Sequence, residues 1–413
     1  MHSMSPSLRP SVKSGFRKSK PVKEASGSLM SPETELVVSL SLFPPLGSAE
    51  PRIERLLSNN LDWSAVLRRA AEWQVEPGVF QNLLSRYRSS IPPGQVERIA
   101  TEAQQTRAGT VALTLVLMNL VNAFRQAGIP VIVLKGPAVG LGAYDDVSLR
   151  RFGDFDLLIP KARFADAQEV LLKRGYTPSQ AAADEDWLIA QEVPLGFSGE
   201  HAIVDLHLSL MPRSWECGLD VDAWSFATEV KCLHSRIPVL LQEHLFLFLC
   251  CHGTKHRWQT FRWLSDITQL ARGLSREQKH AVLALAARTH TRRMLALSVQ
   301  LATEVFGSEP FSDFAEALVP GRTTCSLVAH ARAQIRNLDA PHSGSGWLDK
   351  IPEKAQPMIF WIESRDRKRD AAVSLLRFLF VPSLRDFRFK PFHWVVRPFR
   401  LLMDGTQWVW GWR

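Results

Sequence analysis

The stretch RRFGDFDLLIPKARFADA, from Arg150 to Ala167, sets two carboxylates one residue apart inside an apolar run. Burying a charge is costly unless it finds a partner, so Asp154 and Asp156 each need a reason to be there. DFDLLI followed by Pro160 reads as a short strand. Residues i and i+2 of a strand face the same way. Asp154 and Asp156 therefore share one face, and Phe155 and Leu157 take the other.

Working upstream, PVIVL (Pro130–Leu134) is short, β-branched and bounded by turn residues, which suits a buried strand. KGPAVGLGAY follows as a loop entering a short helix. Downstream, KARFADAQEVLLKRGY is an amphipathic helix ending at Gly175, and HAIVDLHLSL (His201–Leu210) alternates as a third strand. Asp205 and His207 share a face of that strand. The order β-α-β-α-β describes a compact α/β unit over residues 130–212.

Helical patterns flank it. NNLDWSAVLRRAAEWQVEP carries Asn and Asp ahead of an amphipathic run, a helix-start signal. A long helix follows and stops at Gly128 and Pro130. Its second half, Val111 to Phe124, is apolar nearly all round and is expected to be buried. Helical character resumes at Gln242. The expected organisation is a basic, disordered extension (1–30), a helical region (31–129), the α/β core (130–212), a helical domain (213–381) and a basic aromatic segment (382–413). The expected fold class is α+β, a small mixed sheet embedded in a mostly helical protein.

The net charge of +9 is unevenly spread. Residues 1–30 hold six Lys or Arg and one acid, and residues 365–413 hold eleven Lys or Arg and four Asp. The remainder is slightly acidic, so the face carrying DFDLLI is no groove for a polyanion and gives no strong nucleic-acid signal. Five cysteines without a CxxC exclude a disulfide framework and a cysteine zinc site, and fit a reducing cytoplasm. The most apolar run, Ile237–Cys251, is too short to span a membrane and contains Glu243 and His244. The C-terminal segment has the residue types for weak contact with an anionic membrane surface, but such segments more often pack their aromatics on the body.

If the strands bearing Asp156 and Asp205 pair, three carboxylates converge. Such a cluster repels itself unless a cation sits among its members. A hard divalent ion takes oxygen ligands and commonly meets substrate phosphates as well. The plainer alternative makes Asp154 a turn residue, pairs Asp156 with Arg150 or Arg151 and leaves Asp205 on the surface. The company of the motif tips the balance. Lys135 and Gly136 stand at a strand-to-helix junction, where backbone N–H groups bind phosphate, and Arg150 and Arg151 precede the second strand as further anion contacts.

These pieces together resemble a bacterial nucleotidyltransferase-like family: an apolar strand ending in LKGPA, then Tyr144, Arg150 and DFDLLI, a later VDLHLSL, the helical block CCHGTKHRWQTFRWLSDITQL, and VPSLRD and VVRPFRLL near the end. The resemblance runs from about residue 35 to 405. It implies the polymerase-β-like nucleotidyltransferase fold, with Asp154, Asp156 and Asp205 as catalytic carboxylates holding Mg²⁺ or Mn²⁺, and with Lys135, Gly136, Arg150 and Arg151 binding an NTP. The larger superfamily has a Gly-Ser turn where this chain has Lys135-Gly136-Pro137, so no hydroxyl follows the glycine.

The function expected on this basis is transfer of an NMP from an NTP to an acceptor that the sequence does not name. A metal-dependent, nucleotide-sugar glycosyltransferase also uses D-x-D, but several strands normally precede it, and here the preceding residues are helical. A non-catalytic nucleotide-binding module is the third option. His252 and His256 are spaced as H-x-x-x-H, yet Gly253 stands where metalloproteases carry Glu, so a packed helix edge bordering the cleft is the favoured reading. Lys255 and His256 are within reach of a nucleotide on that reading. Asp266 lies among apolar residues at helical spacing and calls for a buried Arg or His partner.

Overall fold

In the computed structural model, residues 30–178, 195–199, 202–212, 215–336, 351, 353 and 355–380 are described. The extension expected over 1–30, save Met30, and the segment expected over 382–413 lie outside them. The described chain is mostly helical around one mixed seven-stranded sheet, an α+β fold.

Five helices come first: α1 (Pro32–Leu40), α2 (Glu50–Leu57), α3 (Trp63–Glu72), α4 (Glu76–Arg86) and α5 (Pro93–Gln126). Asp62 starts α3 as its sequence suggests, accepting hydrogen bonds from the backbone N–H groups of Ser64 and Ala65 at 2.9 and 3.1 Å. Strand β1 (Ile132–Val133) leads into α6 (Pro137–Tyr144), β2 (Asp154–Leu158) and α7 (Phe164–Lys173). Then come β3 (Thr177–Pro178), β4 (Leu195–Ser198), β5 (Ile203–His207), β6 (Ala227–Cys232) and β7 (Ser235–Leu240). The remaining helices are α8 (Gln242–Lys255), α9 (Phe261–Gly273), α10 (Arg276–Arg288), α11 (Arg292–Phe306), α12 (Ser312–Ala315), α13 (Arg322–Arg336), α14 (Gln356–Glu363) and α15 (Lys368–Phe380).

The strand order is β3-β4-β5-β2-β1-β7-β6. Strands β2 and β5 run parallel, as do β1 and β7; the other neighbours are antiparallel. The sheet therefore continues past residue 212, because β6 and β7 add an antiparallel hairpin beside β1. Period-two alternation gives the sheet two unlike faces. Phe155, Leu157, Val204 and Leu206 pack with Leu117, Val121 and Phe124 of α5 and Phe164 and Leu171 of α7. Ile132, Leu134 and Leu158 face the other way, into a core that joins α1–α4 to α8–α11. The helices before and after the sheet thus share one continuous core. Asn82 on α4 and Gln269 on α9 seal it by donating to backbone carbonyls of the segment after α1, at Leu42 (2.7 Å) and Phe43 (2.6 Å).

The second half of α5 is buried on one side only. Leu117, Leu120, Val121 and Phe124 are in the core, whereas Leu115 is 38% exposed. The sheet covers a single stripe of the helix, which corrects the expectation of all-round burial. By length and composition α5 is the one described helix apolar enough to cross a membrane, and its inner stripe is the part packed on the sheet.

Candidate active site

Asp154 opens β2 and Asp156 follows on the same face, with Asp156 directly opposite Asp205 in the parallel register with β5. Ligand oxygens of Asp154, Asp156 and Asp205 all lie within 4.8 Å of one another. Asp154 is exposed, Asp156 is buried and Asp205 is half-buried, so the cluster opens to the surface rather than lying in a sealed core.

Lys135 reaches the cluster through the sheet ladder. The Leu134 N–H donates to the Asp156 carbonyl at 3.0 Å, so the next residue stands beside that aspartate. The Lys135 ammonium lies 2.8 Å from Asp156 Oδ1. His207 Nε2 lies 2.9 Å from the same oxygen. Burial disfavours the charged form of Asp156, but the Lys135 ammonium and then His207 outweigh it and hold the carboxyl well below its usual range. The opposite holds for Asp205. Burial, Asp156 and Asp154 push it up, against the weaker pull of His207 and Lys135. Two neighbouring carboxylates are thereby driven apart, one fixed as an anion and the other made more basic, the pattern of an acid–base site.

Gly136 makes the turn that follows. Its φ of 59° and ψ of −121° are open only to glycine, and a Cβ there would sit 3.3 Å from the Phe152 ring. Pro137 then begins α6 and supplies no N–H.

Arg150 and Arg151 both hold acids on neighbouring helices. The Arg150 Nε and Nη2 each lie 3.0 Å from Asp266 Oδ2 on α9. Both side chains are almost wholly buried, at 3% and 0% exposure. Arg151 pairs with Glu76 at the start of α4, and its carbonyl accepts from Arg262 at 2.9 Å. The two arginines therefore bolt the β2 approach to the helices on either side; Arg150 is buried in its pair, whereas the Arg151 side chain stays half-exposed. The reading of Asp266 as a buried carboxylate with a basic partner matches this pair. Burial and the Asp266 charge also push the neighbouring Tyr144 hydroxyl well above its usual range.

The end of α8 lies near the cluster, where the charges of Lys135 and Asp156 reach Lys255 and His256. The His252 and His256 rings lie 4.7 Å apart, tilted by 55°, and both pack on Trp263. Burial with Lys255 and Lys135 pushes His256 down to about 3, so it is neutral at pH 7. Burial and Lys135 lower the Lys255 ammonium to about 8. His207 had a visible signal in its i, i+2 spacing from Asp205. Lys255 and His256 were expected on a helix edge bordering the site, and both feel the charges of Lys135 and Asp156.

The three carboxylates offer hard oxygen donors close enough together for one divalent cation, and such a cation would offset both the burial of Asp205 and its repulsion by Asp156 and Asp154. The donor set fits one, with Asp154, Asp156 and Asp205 as the residues that would hold it.

A family model described as uncharacterised nucleotidyltransferase matches residues 59–307, over half of the chain and all of this site. The chain belongs to that nucleotidyltransferase family. The general chemistry of this nucleotidyltransferase is accordingly that of NMP transfer. The match takes in α3 to α11 and leaves VPSLRD and VVRPFRLL outside it. No curated protein matches the chain.

Proposed function

We propose that this nucleotidyltransferase is an active, Mg²⁺-dependent enzyme that moves an NMP from an NTP to an acceptor hydroxyl or phosphate. The observation that carries the reading is the convergence of Asp154, Asp156 and Asp205 in one cluster open to the surface, with Lys135 at the adjoining glycine turn. The divalent cation, when bound, supplies charge neutralisation on the phosphates. Asp205, half-buried at the edge of the set, is the carboxylate that orients the acceptor or takes its proton as that group attacks the α-phosphate and pyrophosphate leaves. Asp156 stays ionised throughout. Lys135 and Gly136 serve the triphosphate, the ammonium as a point charge and the glycine by letting the backbone come close. With Pro137 lacking an N–H, more of that task falls on the ammonium, and Lys255 stands near the cluster as a second cation.

The test is transfer of label from an α-³²P-NTP mixture to acceptors in a cell extract, in the presence of Mg²⁺. Label should move with the native protein and not with Asp156→Asn. Equal transfer by both would remove the carboxylate cluster from the chemistry.

A further inference from the structure

A second polar cavity lies away from the acid cluster. It has a volume of about 340 Å³ and is enclosed by the Glu216–Gly218 segment, the α10–α11 turn at His290 and the start of α15. That volume is within the range of small-molecule sites, roughly 300–1,000 Å³. Four of its lining residues are Arg365, Arg367, Arg369 and Arg377.

Arg377 is matched by Glu216 at 2.7 Å. The other three make no ion pair among the described residues. Arg365 is the telling one. It is only 7% exposed, yet its Nε and Nη1 are buried with no hydrogen-bond partner. Buried guanidinium donors are rarely left unmade. Among the described residues it faces the Trp361 ring, 5.6 Å from the guanidinium carbon to the ring centroid.

The backbone that carries Arg365 is fixed. Asp366 accepts from the N–H groups of Arg292 and Arg293 at the start of α11, at 2.8 and 2.7 Å. Arg293 in turn donates to the carbonyls of Glu363 and Arg365. At the facing wall, Gly218 has a φ of 81°, and a Cβ there would lie 3.2 Å from the Thr289 carbonyl oxygen, so the two loops meet closely. The site is preorganised rather than a loose surface cluster. One further buried group on its lining lacks a partner, the Oδ2 of Asp370. It can accept from a hydroxyl.

We propose that this cavity is a second ligand site that binds a phosphate monoester of a polyol, with Arg365 at its base, Arg367 and Arg369 at its rim, and Asp370 accepting from a hydroxyl of the alcohol portion. Several guanidinium groups around one small cavity suit the three acceptor oxygens of a phosphate monoester. The same chemistry is carried by a soluble ester and by a phosphorylated lipid head group. The second source has a physical basis in Leu376 and Phe380, which stand 54% and 49% exposed further along α15. The proposal is independent of the carboxylate cluster.

The experiment is calorimetric titration of the full chain with glycerol 3-phosphate in EDTA, so that no divalent ion can tie the ester to the carboxylates. A second arm follows sedimentation with phosphatidylcholine vesicles, with and without phosphatidic acid. Binding in either arm is expected, and the arm that responds identifies the source. Arg365→Gln should weaken it about tenfold or more, as loss of a charge-assisted contact does. Arg369→Gln is exposed and leaves the fold intact, so it decides the matter should Arg365→Gln fail to fold; a loss of several-fold is expected. Lys135→Met should bind as the native chain does. No binding in both arms, affinity unchanged in Arg369→Gln and any folded Arg365→Gln, or a loss confined to Lys135→Met would each overturn the proposal.

Discussion

Two buried acid–base pairs sit at the two ends of the segment that runs from β1 through α6 to β2. Lys135–Asp156 and Arg150–Asp266 both join a cation to an almost fully buried carboxylate, at 2.8 and 3.0 Å. They differ in what surrounds them. Arg150 and Asp266 meet between α9 and the β2 approach, each almost wholly buried. Asp156 shares its site with Asp154 and Asp205, and its Oδ1 takes two partners at once, Lys135 and His207. Pairing alone does not distinguish framework from chemistry. What distinguishes them is whether the carboxylate is also crowded by other carboxylates at a surface that a ligand can reach.

The sharpest break of this comparison is Arg150→Met. It strands Asp266 in the core, and stability should fall by about 3–5 kcal/mol. Combining it with Asp266→Leu should recover most of the loss and leave nucleotidyl transfer intact, as measured by urea denaturation and label transfer side by side. A double variant that stays unstable would give the pair a role beyond charge balance. At the Lys135 end of that segment the chemistry should fail instead. Asp156→Asn is expected to cut transfer by roughly 10²- to 10³-fold, the scale for losing one preorganised electrostatic contact.

Lys135→Met keeps the apolar stem and removes the charge. Affinity for an Mg-NTP analogue should drop by roughly 10- to 150-fold, the equivalent of ~1.5–3 kcal/mol, and Lys135→Arg should not restore it, because a broad guanidinium replaces a point charge. The variant also has a pH signature. Asp156 is held well below its usual range, so its pairing stabilises the native chain above the ordinary carboxylate pKa, near 4, and that stability is lost as pH falls towards the depressed value. Removing Lys135 should flatten this part of the acid unfolding curve. An unchanged acid limb would mean that His207 alone sustains Asp156.

The smallest effect concerns Asp205. Its raised pKa means that ionisation is penalised in the folded chain, so stability declines as pH rises from the ordinary carboxylate value to the raised one. Asp205→Asn should therefore raise the Tm of the metal-free protein at neutral pH, with no gain at a pH near 4. Thermal melts in EDTA at the two pH values test this. A gain equal at both would point to packing rather than charge.

Much of the site could be read from the sequence, for reasons of backbone stereochemistry. The two-residue period of a strand places Asp154 with Asp156 and Asp205 with His207, whatever the rest of the chain does. The apolar neighbours of Asp266 demand a partner for it, and Gly136 marks a turn. The sequence also indicated α7, the start of α3 and the helical character of both flanks. The identity of each partner belonged to the tertiary structure. Asp156 and His207 are 51 residues apart, and Arg150 and Asp266 are 116 apart. Which cation meets which acid depends on how β2 lies beside β5 and how α9 crosses the β2 approach. Packing of distant apolar faces settles those matters, and no local period encodes them. The same holds for β6 and β7, which enter the sheet only because β1 offers them a free edge, and for α5, whose apolar surface is wider than the stripe the sheet could cover. Arg365 makes the point most plainly. In the sequence it is one of several basic residues ahead of a helix, and only the meeting of α11, α14 and α15 turns it into a buried guanidinium with two unpaired nitrogens.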